Sequence, residues 1–213
     1  MKFSLDDFSH LPEPLLDRLA DFSAEVRCQA VQSLRPKYSR IPIAILRRLT
    51  CDSDTQVSQA AQKKLTSLEM HLRRQIFLFH QWLQKNPDSS APLAGLSLSY
   101  LRYAQFWVQD ETIRRYFLQK AQEGFDQLIR MYQPKLRYFY YRGLVLMALG
   151  RYRLAAANFA KILRKYPHHR GALLNLMEIF YHLHNYRFIP QLSQRINTIS
   201  LPHQVAQYVN FWR

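Results

Sequence analysis

Between Leu136 and Pro167 two apolar helical periods lie head to tail, separated only by Leu149-Gly150-Arg151-Tyr152. Phe139 and Gly143 sit on the first, Ala155 and Phe159 on the second, and Pro167 closes it. Apolar residues three and four apart gather into one stripe per helix. Glycine just past one stripe and proline past the next are stop signals. Two short helices joined by so brief a turn pack side by side. Such a pair leaves an apolar face that it cannot cover itself, so neighbouring pairs must stack on it.

The pattern recurs on both sides. Ala121, Phe125 and Pro134 repeat the spacing of Ala155, Phe159 and Pro167, although the interval from Gly95 to Ala121 is more than twice that from Gly143 to Ala155. The helices of that pair are therefore expected to be longer. Downstream, Leu173, Leu176, Met177 and Phe180 form a stripe. Asn185-Tyr186 follows Arg151-Tyr152 at a shift of about 34 residues, a length typical of helix-pair repeats. Pro190 falls in the first turn of the next helix, where proline is tolerated. Ser193 stands where the phenylalanine would be. Pro202, Val205, Tyr208, Val209 and Trp212 suggest a final capping helix.

Phe139, Gly143, Gly150, Tyr152, Ala155, Phe159 and Pro167 together resemble a tetratricopeptide repeat. The resemblance implies a right-handed α-solenoid whose first helices line a concave face. Carried over position by position, that face holds Arg137, Tyr140, Tyr141, Leu144 and Met147, then Leu174, Asn175, Glu178, Tyr181 and His182. An aromatic groove of this kind suits an amphipathic helix or an extended peptide. Packing of the same tyrosines against a following helix is the equal alternative. Members of the family that grip a terminal carboxylate use Lys and Asn in set places. Tyr140 and Leu144 occupy those places here, which disfavours that role.

The first third also repeats. Leu16, Leu19, Asp21, Val26, Ala30 and Leu34 return in the same order as Leu46, Leu49, Asp52, Val57, Ala61 and Leu65, at a nearly constant shift. Ser23 and Asp54 stand where helix caps are needed. This wording resembles HEAT-like units, with Arg27 in the arginine position that often follows the valine and Ser58 departing from it. Asp54 to Asn86 contains neither proline nor glycine and reads as two helices or one long bent one. The expected organisation is all-α, with HEAT-like units over residues 1–66 and tetratricopeptide-like units with a capping helix over 67–213.

Charge narrows the partners. The net charge is +15, and it is uneven: residues 1–66 carry ten basic and eight acidic side chains, residues 67–213 twenty and seven. From Leu136 onward Glu178 is the only acid. Such a field attracts an acidic protein, an anionic lipid face or a nucleic acid. Near-neutral HEAT-like helices make nucleic acid the second choice. Arg151, Arg153, Lys161, Arg164, Lys165 and Arg170 form the expected basic patch, beside His168 and His169. Lys161, Arg164 and Lys165 are three and four apart and share a helix face.

No catalytic constellation or cofactor motif is legible. His182 and His184 are two apart, which splits them between helix faces. Glu123 and Asp126, beside Lys120 and Arg130, read as a surface ion cluster. Cys28 and Cys51 lack paired or metal-like spacing and read as small buried groups in a reducing compartment. The start, Met1-Lys2-Phe3-Ser4-Leu5-Asp6-Asp7, is not a secretory leader, and no stretch reaches the ~20 apolar residues of a membrane span. The expectation is a cytoplasmic binding protein without an enzyme's site.

Tyr100-Leu101-Arg102-Tyr103-Ala104, then Tyr116-Phe117-Leu118-Gln119-Lys120-Ala121, follow the HEAT-like start and long helix. This order is similar to the soluble region of the PelE family, accessory proteins of bacterial Pel exopolysaccharide assembly. That family carries an amino-terminal pair of membrane segments without a counterpart here. The resemblance implies either the cytoplasmic part of such a protein or a shared repeat type. In the first case the chain is a scaffold tethered at the inner membrane, its partner is the cytoplasmic part of PelD, and its basic surface faces an anionic leaflet.

Overall fold

The computed structural model describes residues 18, 23–33, 40–131 and 135–197. Every regular element among them is helical. The chain divides into two compact units, Met1–Arg74 and Gln75–Arg213.

In the first unit α1 spans Ala24–Ser33, α2 spans Arg40–Leu49, and α3 begins at Thr55. Ala30, Val31, Ile43, Leu46, Leu49, Val57, Ala61, Leu68 and Leu72 are buried. The small Ala30 and Ala61 are wholly covered. Asp54 starts α3: its Oδ1 accepts from the backbone N–H of Gln56 at 2.9 Å and of Val57 at 3.1 Å. That satisfies two of the donors a helix start leaves open. Arg27 donates through Nε and Nη2 to the two carboxylate oxygens of Asp52 at 3.0 and 2.7 Å. Asp52 Oδ1 also accepts from the N–H of Asp54 at 3.0 Å, so one carboxylate ties α1 to the turn that caps α3. Leu16, Leu19, Asp21 and Leu34 of the sequence repeat lie outside the described residues.

The stretch without proline or glycine forms one helix, α3 (Thr55–Lys85), 31 residues long. The boundary expected at 66/67 and the division at 74/75 both lie inside it. The cysteines are not both buried. Cys28 is half-buried, and Cys51 is exposed because it falls in the turn just past α2.

The second unit contains the end of α3, then α4 (Ser90–Phe106), α5 (Glu111–Met131), α6 (Leu136–Ala148), α7 (Tyr152–Lys165), α8 (Arg170–His182), a single 3-10 turn (Tyr186–Phe188) and α9 (Ile189–Asn197). From α4 onward each helix packs on the next, and α4 also touches α6. Short connections make successive helices antiparallel. Leu93, Leu101, Ala104, Leu118, Ala121, Phe125, Leu128, Tyr138 and Val145 share one core. Phe159 is fully buried, and its ring lies so close to α6 that a Cβ on Gly143 would stand 2.7 Å from Cζ. Ile189 occupies the place of Ala155 one period on, and Ser193 that of Phe159, both buried. The residues expected to form a capping helix, 202–213, lie outside the described ones.

The turns inside the last two pairs are built alike. After α6, Gly150 takes φ +73°, its N–H bonds Met147 O at 3.0 Å, and the N–H of Arg151 bonds Leu146 O at 2.8 Å. After α8, at the equivalent place one repeat further on, His184 takes φ 56°, its N–H bonds Tyr181 O at 3.1 Å, and the N–H of Asn185 bonds Phe180 O at 2.8 Å. Glycine enters the left-handed region without steric cost, whereas a residue with a Cβ carries about 1–2 kcal/mol there. The His184 ring offsets part of this through Nδ1 to Tyr186 Oη at 2.8 Å. His184→Gly is therefore expected to raise stability by about 0.5–1 kcal/mol, read as a higher urea midpoint at unchanged slope.

Candidate protein-binding surface

The expected groove residues separate into two groups. Tyr140 sits between helices: its ring meets Phe159 at 5.8 Å and His169 at 5.5 Å, and its hydroxyl accepts from Asn175 Nδ2 at 3.4 Å. Asn175 is buried, and the same nitrogen donates to Gly171 O at 2.7 Å. Tyr141 stacks on Phe125 at 5.8 Å, and Leu144 packs against the α4–α5 core. These four hold helix to helix. In the other group Arg137 and Tyr181 are exposed, Glu178 is half-buried, and His182, its side chain only 15% exposed, packs on Tyr152 of α7. Arg137 lies at the amino end of α6, one turn before Tyr140, whereas Tyr181 lies at the carboxyl end of α8. The contact of Tyr140 with His169 and Asn175 sets α6 and α8 in parallel, one repeat apart, which puts Arg137 far from Tyr181.

An aromatic cluster forms at the carboxyl end of α8. His182 stacks on Tyr152 at 4.7 Å with an interplanar angle of 13°. Tyr181 meets Tyr186 edge-on at 5.9 Å, and His184 meets Tyr186 at the same distance. Tyr181 and Tyr186 are each 46% exposed. Glu178 Oε1 stands 3.9 Å from His182 Nε2. The matched turns explain the convergence: each delivers a tyrosine, Tyr152 or Tyr186, just after a left-handed residue. The repeat points to Tyr152 and Tyr186 at equivalent places. That both join Tyr181 and His182 in one surface is not visible from either stripe alone.

The basic patch also splits. Arg151 and Arg153 stand beside Tyr152 at the start of α7, with Arg151 Nη1 donating to Gln122 Oε1 at 3.1 Å. Lys161, Arg164 and Lys165 are exposed in its last turns. The helix between Arg153 and Arg164 sets them about 16 Å apart at a rise of about 1.5 Å per residue. Lys161 Nζ caps the Phe139 ring at 3.9 Å, and Arg195 Nη2 donates to Pro167 O at 2.7 Å. Arg170 is half-buried, with Nε and Nη2 enclosed and lacking an acceptor. Glu123 pairs with Lys120 at 2.9 Å, but Asp126 leaves the expected cluster and pairs with Arg142, which also reaches Asn158 Oδ1 at 3.3 Å. That chain ties α5, α6 and α7 together.

A second aromatic group links α3, α4 and α5. His80 shares a hydrogen bond with Tyr100, and Tyr100 and Tyr103 meet Phe117 at 5.6 and 5.0 Å. Burial pushes the Tyr100 hydroxyl up and nearby Tyr116 adds to this, while Lys120 opposes it. Glu123 raises Lys120 through a hydrogen bond and its charge. Both shifts favour the form each group already holds at neutral pH, so neither poises a proton donor or nucleophile. Among the described residues no three of His, Cys, Asp and Glu converge to hold a metal ion, and no helix is long and apolar enough to cross a membrane. The chain matches no family model, no curated protein and no solved structure.

Proposed function

We propose that the chain is a non-catalytic adaptor that holds another protein on a helical array. The observation that carries this reading is the exposed pair Tyr181 and Tyr186, backed by the part-buried His182 and Tyr152, beside Arg151 and Arg153. Aromatic side chains offer large contact area at low entropic cost, and arginine adds forked donors; both are favoured where proteins meet. A sequence with Glu178 as its only acid from residue 136 onward selects an acidic segment. The helix pairs read as tetratricopeptide-like units after HEAT-like ones, winding as a right-handed solenoid. Resemblance to the PelE family makes the cytoplasmic part of PelD the first partner to test, at the bacterial inner membrane, with the exposed Lys161, Arg164 and Lys165 turned toward anionic lipid. The basic excess also favours a second reading, nucleic-acid binding.

Titration of the chain with the cytoplasmic part of PelD is expected to give a complex. Tyr181→Ala/Tyr186→Ala is expected to weaken it at least tenfold while leaving the circular dichroism unchanged. Crosslinking in the native host extends the test to other protein partners. A sequence-independent gel shift that persists at about 150 mM salt, without a protein partner, would favour nucleic acid instead.

A further inference from the structure

The last turns of α3 are apolar on two sides. Ile76-Phe77-Leu78-Phe79 places four apolar residues in succession. With about 3.6 residues to each turn, four in a row fan around most of the helix circumference. Phe79 and Leu83 turn inward: the Phe79 ring lies against Gly95, and Leu83 packs on the α4–α5 core. Phe77 and Leu78 lie on the other side of the helical wheel, with Trp82 at its edge, where the ring stacks on Phe79 at 6.3 Å; the three are 59%, 49% and 45% exposed. Large apolar side chains grouped in the open on one face are a common mark of an interaction site. Here the outer side stays open among the described residues.

Charge identifies what would cover it. Residues 75–213 carry eighteen basic and six acidic side chains. Within α3 Glu69 is the only acid, and Arg73 and Arg74 precede the apolar turns while Lys85 follows them. A second copy would bring two such excesses together, which opposes self-association. Gln81 lies between Phe77 and Leu78 on the helical wheel, and its amide can hydrogen-bond a polar side chain on a partner helix. A patch two turns long fits a crossing helix that offers apolar anchors three, four and seven residues apart.

We infer that the outer face of α3 formed by Phe77, Leu78 and Trp82 is a docking site for an acidic amphipathic helix of a partner protein. It is separate from the surface of Tyr181 and Tyr186, and either can fail without the other.

The test is a selection from a displayed library of amphipathic helical peptides of varied charge, made against the whole chain. Enriched peptides are expected to be net negative, to shift tryptophan emission to the blue through Trp82, and to bind Phe77→Ser/Leu78→Ser at least tenfold more weakly. Binding to Tyr181→Ala/Tyr186→Ala is expected to be unchanged. Phe77→Gln alone, on the same face, carries the test if the double variant does not fold. Enrichment without an acidic bias, or binding indifferent to these substitutions, would overturn the assignment. So would flotation on phosphatidylglycerol vesicles, or dimerisation in sedimentation, that the α3 variants abolish.

Discussion

Phe159→Ala is expected to destabilise the second unit by about 3–5 kcal/mol, a large share of the ~5–15 kcal/mol that holds a domain folded. The ring is wholly buried, meets Tyr140 at 5.8 Å, and rests on the bare backbone of Gly143. Removing it opens a cavity between α6, α7 and α8 that rigid helices cannot close. Gly143→Ala acts on the same contact from the other side, by overpacking, and is expected to cost about 1–3 kcal/mol. The two are coupled, because the new methyl has room once the ring is gone. Urea unfolding of both single variants and the double variant measures this. The double variant is expected to be more stable than the sum of the singles predicts, by about 0.5 kcal/mol or more. Additive losses would show that Gly143 and Phe159 do not share one contact.

This contact is legible in the sequence, because glycine and phenylalanine at fixed offsets are backbone-approach and knob residues. The turn at Leu149-Gly150-Arg151-Tyr152, the Asp54 cap and the helix beginning near Pro190 are legible for the same reason: each depends on neighbours in the chain. What the sequence leaves open depends on distant ones. Tyr140 has an equal claim to groove or packing, and only the position of α8 places it against His169 and Asn175. Asp126 reads as part of a local cluster, yet its partner Arg142 lies 16 residues away on the next helix. Counting along the chain groups the basic patch but hides the length of α7 between its halves. The Arg27–Asp52 pair, 25 residues apart, has no local signature.

That pair supplies the second large effect. Its side chains are only 13% and 10% exposed, and both guanidinium contacts are near-ideal in length. Arg27→Ala leaves Asp52 without its main partner and is expected to cost about 2 kcal/mol. The Arg27 hydrogen bonds first, then the Asp54 N–H, hold the Asp52 carboxyl below its usual range, while partial burial opposes them. A depressed folded-state value stabilises the fold above the unfolded value of about 3.9, and this contribution disappears as pH falls through the lower folded value. The wild type is thus expected to lose stability steeply below about pH 4, and Asp52→Asn to show a shallower loss there. Parallel acid profiles for the two proteins, followed by thermal unfolding, would remove Asp52 from the account.

The twin turns at Gly150 and His184 carry a consequence for how such a chain can change in size. Because α6 and α8, the first helices of the last two pairs, end in the same bonded geometry, a duplicated cassette of residues 152–185 would begin and finish on matching joints. Length can then be gained or lost in whole repeat periods, leaving the chemistry at either terminus of the array untouched.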